Sequence, residues 1–251
     1  GEPQIVSQVK QAYRLAEQNA ACGPLTNALF QGAIRVSKRV RSETRLSEGR
    51  VSIASVAVGD FARGIFDRFD DKTVLVIGAG PIGMAVVEFL KVAKTEITVM
   101  DMNETRLQFC REKLGVDHTV VFKNDGKEVD RLREVNGGES PITVIDATGS
   151  HVSMSNAFQY VSFTGQVLYV GITTQELSFK HVTIHRPELT IKASRNAVPA
   201  DFKRIISLIE DGVIDTDPWL SHHASYDDFI GEFPNWLKPE TGVIKAVLYM
   251  N

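Results

Sequence analysis

The stretch Val74-Leu-Val-Ile-Gly-Ala-Gly-Pro-Ile-Gly83 constrains this chain more than any other, because an apolar, strand-like run breaks into glycines at G-x-G-x-x-G spacing. Four consecutive apolar residues suit a strand buried on both faces. Pro81 then suits the first turn of a helix, which the apolar residues from Met84 to Val92 continue. A strand that turns through glycine straight into a helix aims unpaired N–H groups, and the helix's positive end, at whatever fills the turn. An anion is the natural occupant. Gly78 permits the sharp turn, Gly80 lets the backbone approach a pyrophosphate with no Cβ between them, and Gly83 lets the helix pack closely on the strand. Pro81 and Ile82 belong to the same phosphate-facing turn. The next strand-like run, Glu96-Ile-Thr-Val-Met100, ends at Asp101-Met102. A carboxylate there accepts hydrogen bonds from both ribose hydroxyls and repels a 2′-phosphate, so the expected cofactor is NAD in preference to NADP.

The rest of the chain repeats the strand–helix alternation. Strands are expected at Val120-Val121, Ile142 to Ile145, Gln166 to Val170 and Leu189 to Ala193. Helices are expected through Leu107 to Leu114, Asp125 to Val135, Met154 to Val161 and Asp201 to Glu210. This rhythm predicts an α/β fold, a doubly wound parallel sheet of Rossmann type with helices on both faces. Before it, residues 1–70 read as an N-terminal helical segment. Ile5, Val9, Ala12, Tyr13 and Ala16 make one stripe, Leu25, Leu29, Phe30, Ile34 and Val40 a second, and a third helix spans Val51 to Phe69. The expected division is a helical segment over 1–70, a dinucleotide-binding domain over 71–212 and an extension over 213–251 that packs on or near the helices. Within that extension Ile244 to Tyr249 is a strand whose partner is not evident, and an exposed edge there would favour a homodimer.

Composition narrows the partners. A net charge of −3 over 251 residues speaks against a general binder of nucleic acid or anionic membranes, and no apolar run reaches the roughly 18 residues that span a bilayer. The basic run Arg35, Lys38, Arg39 and Arg41 reads as a solvated helix face rather than an RNA contact. The start of the chain does not read as a signal peptide. Two cysteines, Cys22 and Cys110, cannot build a disulfide framework or a four-cysteine zinc site, and they suit a reducing cytoplasm. The six histidines are scattered, so no metal site is expected. His185, just before Arg186-Pro187 and close to the expected nicotinamide end, is the one general acid/base candidate, and no catalytic residue is assigned.

Two resemblances overlap at the glycine motif. Gly1-Glu-Pro-Gln-Ile5, Ser37-Lys-Arg-Val-Arg-Ser-Glu-Thr44 and Ser52-Ile-Ala-Ser-Val-Ala-Val58 resemble the segment that leads into the NADPH domain of glutamyl-tRNA reductase. In that family the nucleophilic cysteine lies upstream of G-E-P-Q, so the resemblance gives Cys22 no role. From Val74 onward the chain resembles the cofactor half of the medium-chain, zinc-type alcohol and polyol dehydrogenases. The words that carry this are the glycine motif, Asp101-Met-Asn-Glu-Thr-Arg-Leu107, Gly115-Val-Asp-His118, Asp146-Ala-Thr-Gly149, Tyr169-Val-Gly-Ile172, Ser194-Arg-Asn-Ala197 and Gly242-Val-Ile-Lys-Ala-Val247. That resemblance implies Ala147 and Thr148 on the adenosine side and Arg106 flanking the adenine. It also implies Val170, Gly171 and Ile172 presenting backbone to the nicotinamide, Ser194, Arg195 and Asn196 near the carboxamide, and Lys245 approaching the pyrophosphate. Zinc in that family is held by a β-rich domain, whose place is taken here by the reductase-like helices. The chain therefore looks chimeric. The expected function is an NAD-binding oxidoreductase that moves hydride to or from a small hydroxyl or carbonyl substrate. The alternatives are an NAD-binding module without turnover and a glutamyl-tRNA reductase-like protein.

Overall fold

Thr73–Ile77 forms β1, and every residue after Thr73 in it is buried. Its side chains alternate: Val74 and Val76 enter one apolar core and Leu75 and Ile77 another, so the strand is central to a sheet covered on both faces. The structure is a computed structural model that describes residues 3–19, 21–43 and 72–250. The helix expected from Val51 to Phe69 lies outside the described residues.

The strands β2 (Glu96–Asp101), β3 (His118–Val121), β4 (Thr143–Asp146), β5 (Gln166–Tyr169) and β6 (Thr190–Ala193) join β1 in one sheet of order β3-β2-β1-β4-β5-β6. All five pairings are parallel, with Val74 opposite Ile97 on one side and Thr143 on the other. The direction of winding reverses between β1 and β4, which opens a crevice at the strands' C-terminal edge. The core on one face is supplied by α3 (Pro81–Val92) and α4 (Glu104–Glu112), and includes Met84, Val87, Leu90, Leu107 and Cys110. Burial pushes the Cys110 thiol up to about 12, which makes it an inert packing group. The opposite face is covered by α5 (Glu128–Val135), α6 (His151–Asn156) and the short 3-10 turn Ala157–Gln159, through Leu132, Met154 and Phe158.

The chain divides into two compact units, Gly1–Arg50 and Val51–Asn251. In the first, α1 (Pro3–Gln18) and α2 (Pro24–Glu43) pair through Tyr13, whose ring lies 5.2 Å from that of Phe30. The Tyr13 hydroxyl donates to Asn27 and accepts from Gln31 at 3.2 Å. Leu25 and Leu29 remain exposed.

Beyond β5, α7 (Val182–His185) precedes β6, and α8 (Pro199–Glu210) follows it with Pro199 in its first turn. The Asp201 carboxylate accepts the Val198 N–H at 2.9 Å and closes the start of α8. The stretch beyond residue 212 lies in the second unit: Ile214 is buried in the α3-side core, and Trp219 and Ile244 pack against it. The strand expected at Ile244 to Tyr249 is β8 (Lys245–Tyr249), and its partner is β7 (Leu220–Ser225), a pairing the sequence did not disclose. The two run parallel, joined by a connection that carries α9 (Phe229–Trp236). No helix among the described residues is long and apolar enough to cross a membrane.

Candidate functional site

The site grows from the turn between β1 and α3. Gly78 has φ +101, a left-handed value open to glycine, and its N–H continues the ladder by donating to the Met100 carbonyl at 2.8 Å. A Cβ added there would meet Thr148 Cγ2 at 3.1 Å. Gly83 is under a harder constraint, since a Cβ on it would collide with the Gly78 carbonyl oxygen. Gly80 is the N-cap of α3 and carries no capping side chain, so the first N–H groups of the helix stay open. The cradle is thus shaped by missing Cβ atoms and offers only donors.

Asp101 closes β2 beside this turn. Its Oδ2 accepts the Ala79 N–H at 2.6 Å and its Oδ1 accepts the Asn103 N–H at 2.7 Å. The carboxylate is therefore oriented by the glycine turn itself. Arg106 reaches over the same turn from α4, donating to the Ala79 carbonyl at 3.5 Å and to the Val243 carbonyl at 3.3 Å. Asn103 caps α4 by accepting the Arg106 N–H at 3.1 Å, which sets the direction in which that side chain leaves.

Across the crevice, Asp146 ends β4 fully buried. It accepts the Thr148 N–H at 2.9 Å, the Thr148 hydroxyl at 2.7 Å and the Ser153 hydroxyl at 2.6 Å. Burial raises its pKa above the ordinary value, while the Ser153 and Thr148 donors oppose the rise. Two loops meet above it: Gly149, at φ +68, and Gly171 approach so closely that a Cβ on Gly171 would collide with the Gly149 N–H.

A cavity of about 510 Å³ gathers Gly78, Gly80, Asp101, Met102, Arg106, Ala147 and Thr148 in one place. A second, of about 640 Å³, lies along α3 and holds Pro81, Ile82, Asn196 and Lys245. Gly83 lies behind the turn, Gly171 abuts Gly149, and Ser194 follows β6 with its N–H on the Tyr169 carbonyl at 2.9 Å. Ser194, Arg195 and Gly171 line neither cavity. His185 is not at this end at all. The Thr164 N–H donates to the Pro187 carbonyl at 2.7 Å, which ties the residues after His185 to the segment entering β5, at the opposite edge of the sheet. The first cavity also contains Phe122, Asn124, Ser150, Ser153 and Tyr160, which the sequence reading did not single out. Asp146 was named only within its motif and given no role, although it ends β4 as Asp101 ends β2.

A model of the family described as "Zinc-binding dehydrogenase" matches residues 81–211, more than half of the chain. The chain belongs to the zinc-binding dehydrogenase family. The N-terminal domain of glutamyl-tRNA(Glu) reductase matches residues 1–44, so the zinc-binding dehydrogenase chain carries a second family's segment ahead of its sheet. L-galactonate-5-dehydrogenase of Escherichia coli K12 is 33% identical over 178 residues, covering 70% of this chain and 52% of that protein. Glutamyl-tRNA reductase of Rhodopirellula baltica is 37% identical over 151 residues, covering 59% of this chain and 35% of that protein. Among solved structures, a short chain alcohol dehydrogenase from E. coli CFT073 complexed with NADH superposes with TM-score 0.67 at 22% identity, covering 79% of this chain and 58% of that one. The zinc-binding dehydrogenase part of the chain spans about half the length of the dehydrogenases it matches.

The residues fit the two groups associated with this zinc-binding dehydrogenase chain differently. The glycine cradle, the open N–H groups and Asp101 suit a dinucleotide. For zinc the donor set does not fit, because among the described residues no three His, Cys, Asp or Glu side chains come together.

Proposed function

We propose that this chain binds NAD(H) at the C-terminal edge of its six-stranded sheet and belongs to an oxidoreductase acting on a small polar hydroxyl or carbonyl substrate. The observation that carries this is the Asp101 carboxylate, hydrogen-bonded to the glycine turn at 2.6 Å and facing the same cavity as Gly78 and Thr148. When bound, the nicotinamide supplies the hydride chemistry. The chain's part is to bind and orient. The α3 N-terminus receives the pyrophosphate, with Pro81, Ile82 and Lys245 beside it, and Asp101 and Met102 receive the adenosine ribose. Arg106 holds the glycine turn, Ala147 and Thr148 bound the adenosine, and Gly171, Ser194, Arg195 and Asn196 lie toward the nicotinamide. A cytoplasmic homodimer is part of the same reading, and Cys22 and Cys110, both unpaired, suit a reducing compartment.

A titration of NADH fluorescence against the protein, repeated with NADPH, tests this. Tighter binding of NADH supports it. No binding of either dinucleotide at high micromolar concentration sinks it, and equal binding removes the role given to Asp101.

A second reading, an NAD-binding module without turnover, is favoured by the position of His185 at the far edge of the sheet, away from the cavity. NAD reduction screened against alcohols, polyols and sugar acids separates the two, and substrate-dependent turnover would eliminate the module. A reductase-like role for the N-terminal helices predicts tRNA binding, and an unshifted tRNA at low salt counts against it.

A further inference from the structure

The 510 Å³ cavity extends well past the parts of a dinucleotide used so far, and what lies at its far end bears on the base. This inference rests on the proposed NAD site. With the pyrophosphate at the end of β1 and the adenosine ribose at the end of β2, the base must continue toward β3. The loop after β3 starts beside the ribose carboxylate, because the Phe122 N–H donates to the Asp101 carbonyl at 2.9 Å. Phe122 and Asn124, which follow β3, line the cavity, as do Val152 and Tyr160.

Most polar side chains of the cavity are already committed. Asp101 accepts two backbone N–H groups, Arg106 donates to two carbonyls, Thr148 and Ser153 donate to Asp146, and Ser150 accepts the Ser153 N–H. Among the described residues that line this cavity, Asn124 and Tyr160 have polar side chains that enter no hydrogen bond. A carboxamide offers an acceptor and a donor side by side. That is the complement of the 6-amino group and N7 of adenine.

The backbone at Asn124 is also set before any ligand arrives. It sits at φ +53, a left-handed value that asparagine tolerates better than most residues. The next residue, Asp125, is clamped by two bonds from the Arg131 guanidinium at 2.9 and 2.8 Å, and its N–H donates to Glu128 at 3.2 Å. The Arg131 bonds hold the Asp125 carboxyl well below the usual carboxylate range, so the clamp persists at neutral pH.

We infer that Asn124 reads the adenine base, its carboxamide oxygen accepting from the 6-amino group and its nitrogen donating to N7. The site is then specific for an adenine dinucleotide and does not merely enclose any purine. Hypoxanthine carries a carbonyl where adenine carries the amino group, so it presents two acceptors and loses one of the two bonds.

The probes are NADH and reduced nicotinamide hypoxanthine dinucleotide, titrated by fluorescence against the full chain. The wild-type protein is expected to bind NADH about tenfold more tightly or better. Asn124→Gly keeps the left-handed backbone and removes the amide, and it should bring the two affinities within about threefold, because NADH loses two bonds and the hypoxanthine dinucleotide one. Asn124→Asp keeps the acceptor that reads the 6-amino group and loses the donor to N7, so it should weaken both dinucleotides and still prefer NADH, which keeps the inference testable if the glycine variant fails to fold. Equal affinities in the wild type, a preference undiminished in Asn124→Gly, or a preference lost in Asn124→Asp overturn the inference. Failure of both dinucleotides to bind the wild type overturns the cofactor site itself, and is recognised by the absence of any signal.

Discussion

Gly83→Ala should damage both the fold and the cradle, and the structure says why. The added Cβ would collide with the Gly78 carbonyl oxygen and lie 3.0 Å from the Gly78 carbonyl carbon, where ordinary contact begins at 3.4 Å. Gly78 cannot swing aside cheaply: its own N–H is bonded to Met100 at 2.8 Å, and the next N–H, of Ala79, is bonded to Asp101 at 2.6 Å. The start of α3 must therefore lift from the strand, by about 1 Å or more, a strain of the overpacking kind that costs about 1–3 kcal/mol. That movement pulls the open N–H groups away from the phosphate position. Losing one charge-assisted hydrogen bond costs about 1.5–3 kcal/mol, or roughly 10- to 150-fold in NADH affinity. Urea denaturation followed by tryptophan fluorescence measures the first effect, and an NADH titration the second. Gly231→Ala in α9 is the control, because nothing lies within 4 Å of its added Cβ and its backbone is not left-handed. It should leave NADH affinity unchanged and raise stability by up to about 1 kcal/mol. Wild-type stability and affinity in Gly83→Ala would refute the close-packing argument.

Three further outcomes are expected. Asp101→Asn removes the negative charge while keeping an acceptor for the Ala79 N–H, so NADH should bind about tenfold more weakly and the gap to NADPH should narrow, as read from paired titrations. Asp146→Asn should flatten the pH dependence of stability: burial raises the folded pKa above the ordinary 3.8, so in the wild type stability is fully present below that value and is lost as pH rises through the folded pKa, which urea midpoints at successive pH values will show. Leu75→Ala empties a position with no solvent exposure in the central strand and should cost about 2–5 kcal/mol in the same denaturation assay.

The sheet was legible from the sequence because its signals are local. Val74 to Ile77 alternate between two cores, and Pro81 begins α3 where the glycines end the strand. Boundaries moved by a residue or a few, as in α5, which begins at Glu128 and not Asp125 because Asp125 is held by Arg131 in the preceding turn. What was not legible depended on partners distant in sequence. Leu220–Ser225 contains two adjacent histidines and becomes a strand only beside β8. Phe229–Trp236 contains Gly231 and Pro234, which argue locally against the helix that forms. In the site, the glycines and Asp101 announced themselves by spacing. Asn124 and Tyr160 did not, since the parallel crossover brings together residues that no motif links. His185 showed the converse: its neighbours suggested the reacting end, and the path of the chain into β6 put it at the other.

The β7–β8 pair has a consequence for the order in which the protein assembles and opens. A two-stranded sheet is marginal alone, and this one is attached to the α3-side core by Trp219 and Ile244, just before each strand begins. Its two strands are separated by the whole α9 connection, so it can close only after the residues it leans on are in place. Its amide hydrogens should exchange with solvent sooner than those of β1, marking the C-terminal ribbon as the last piece to lock and the first to let go.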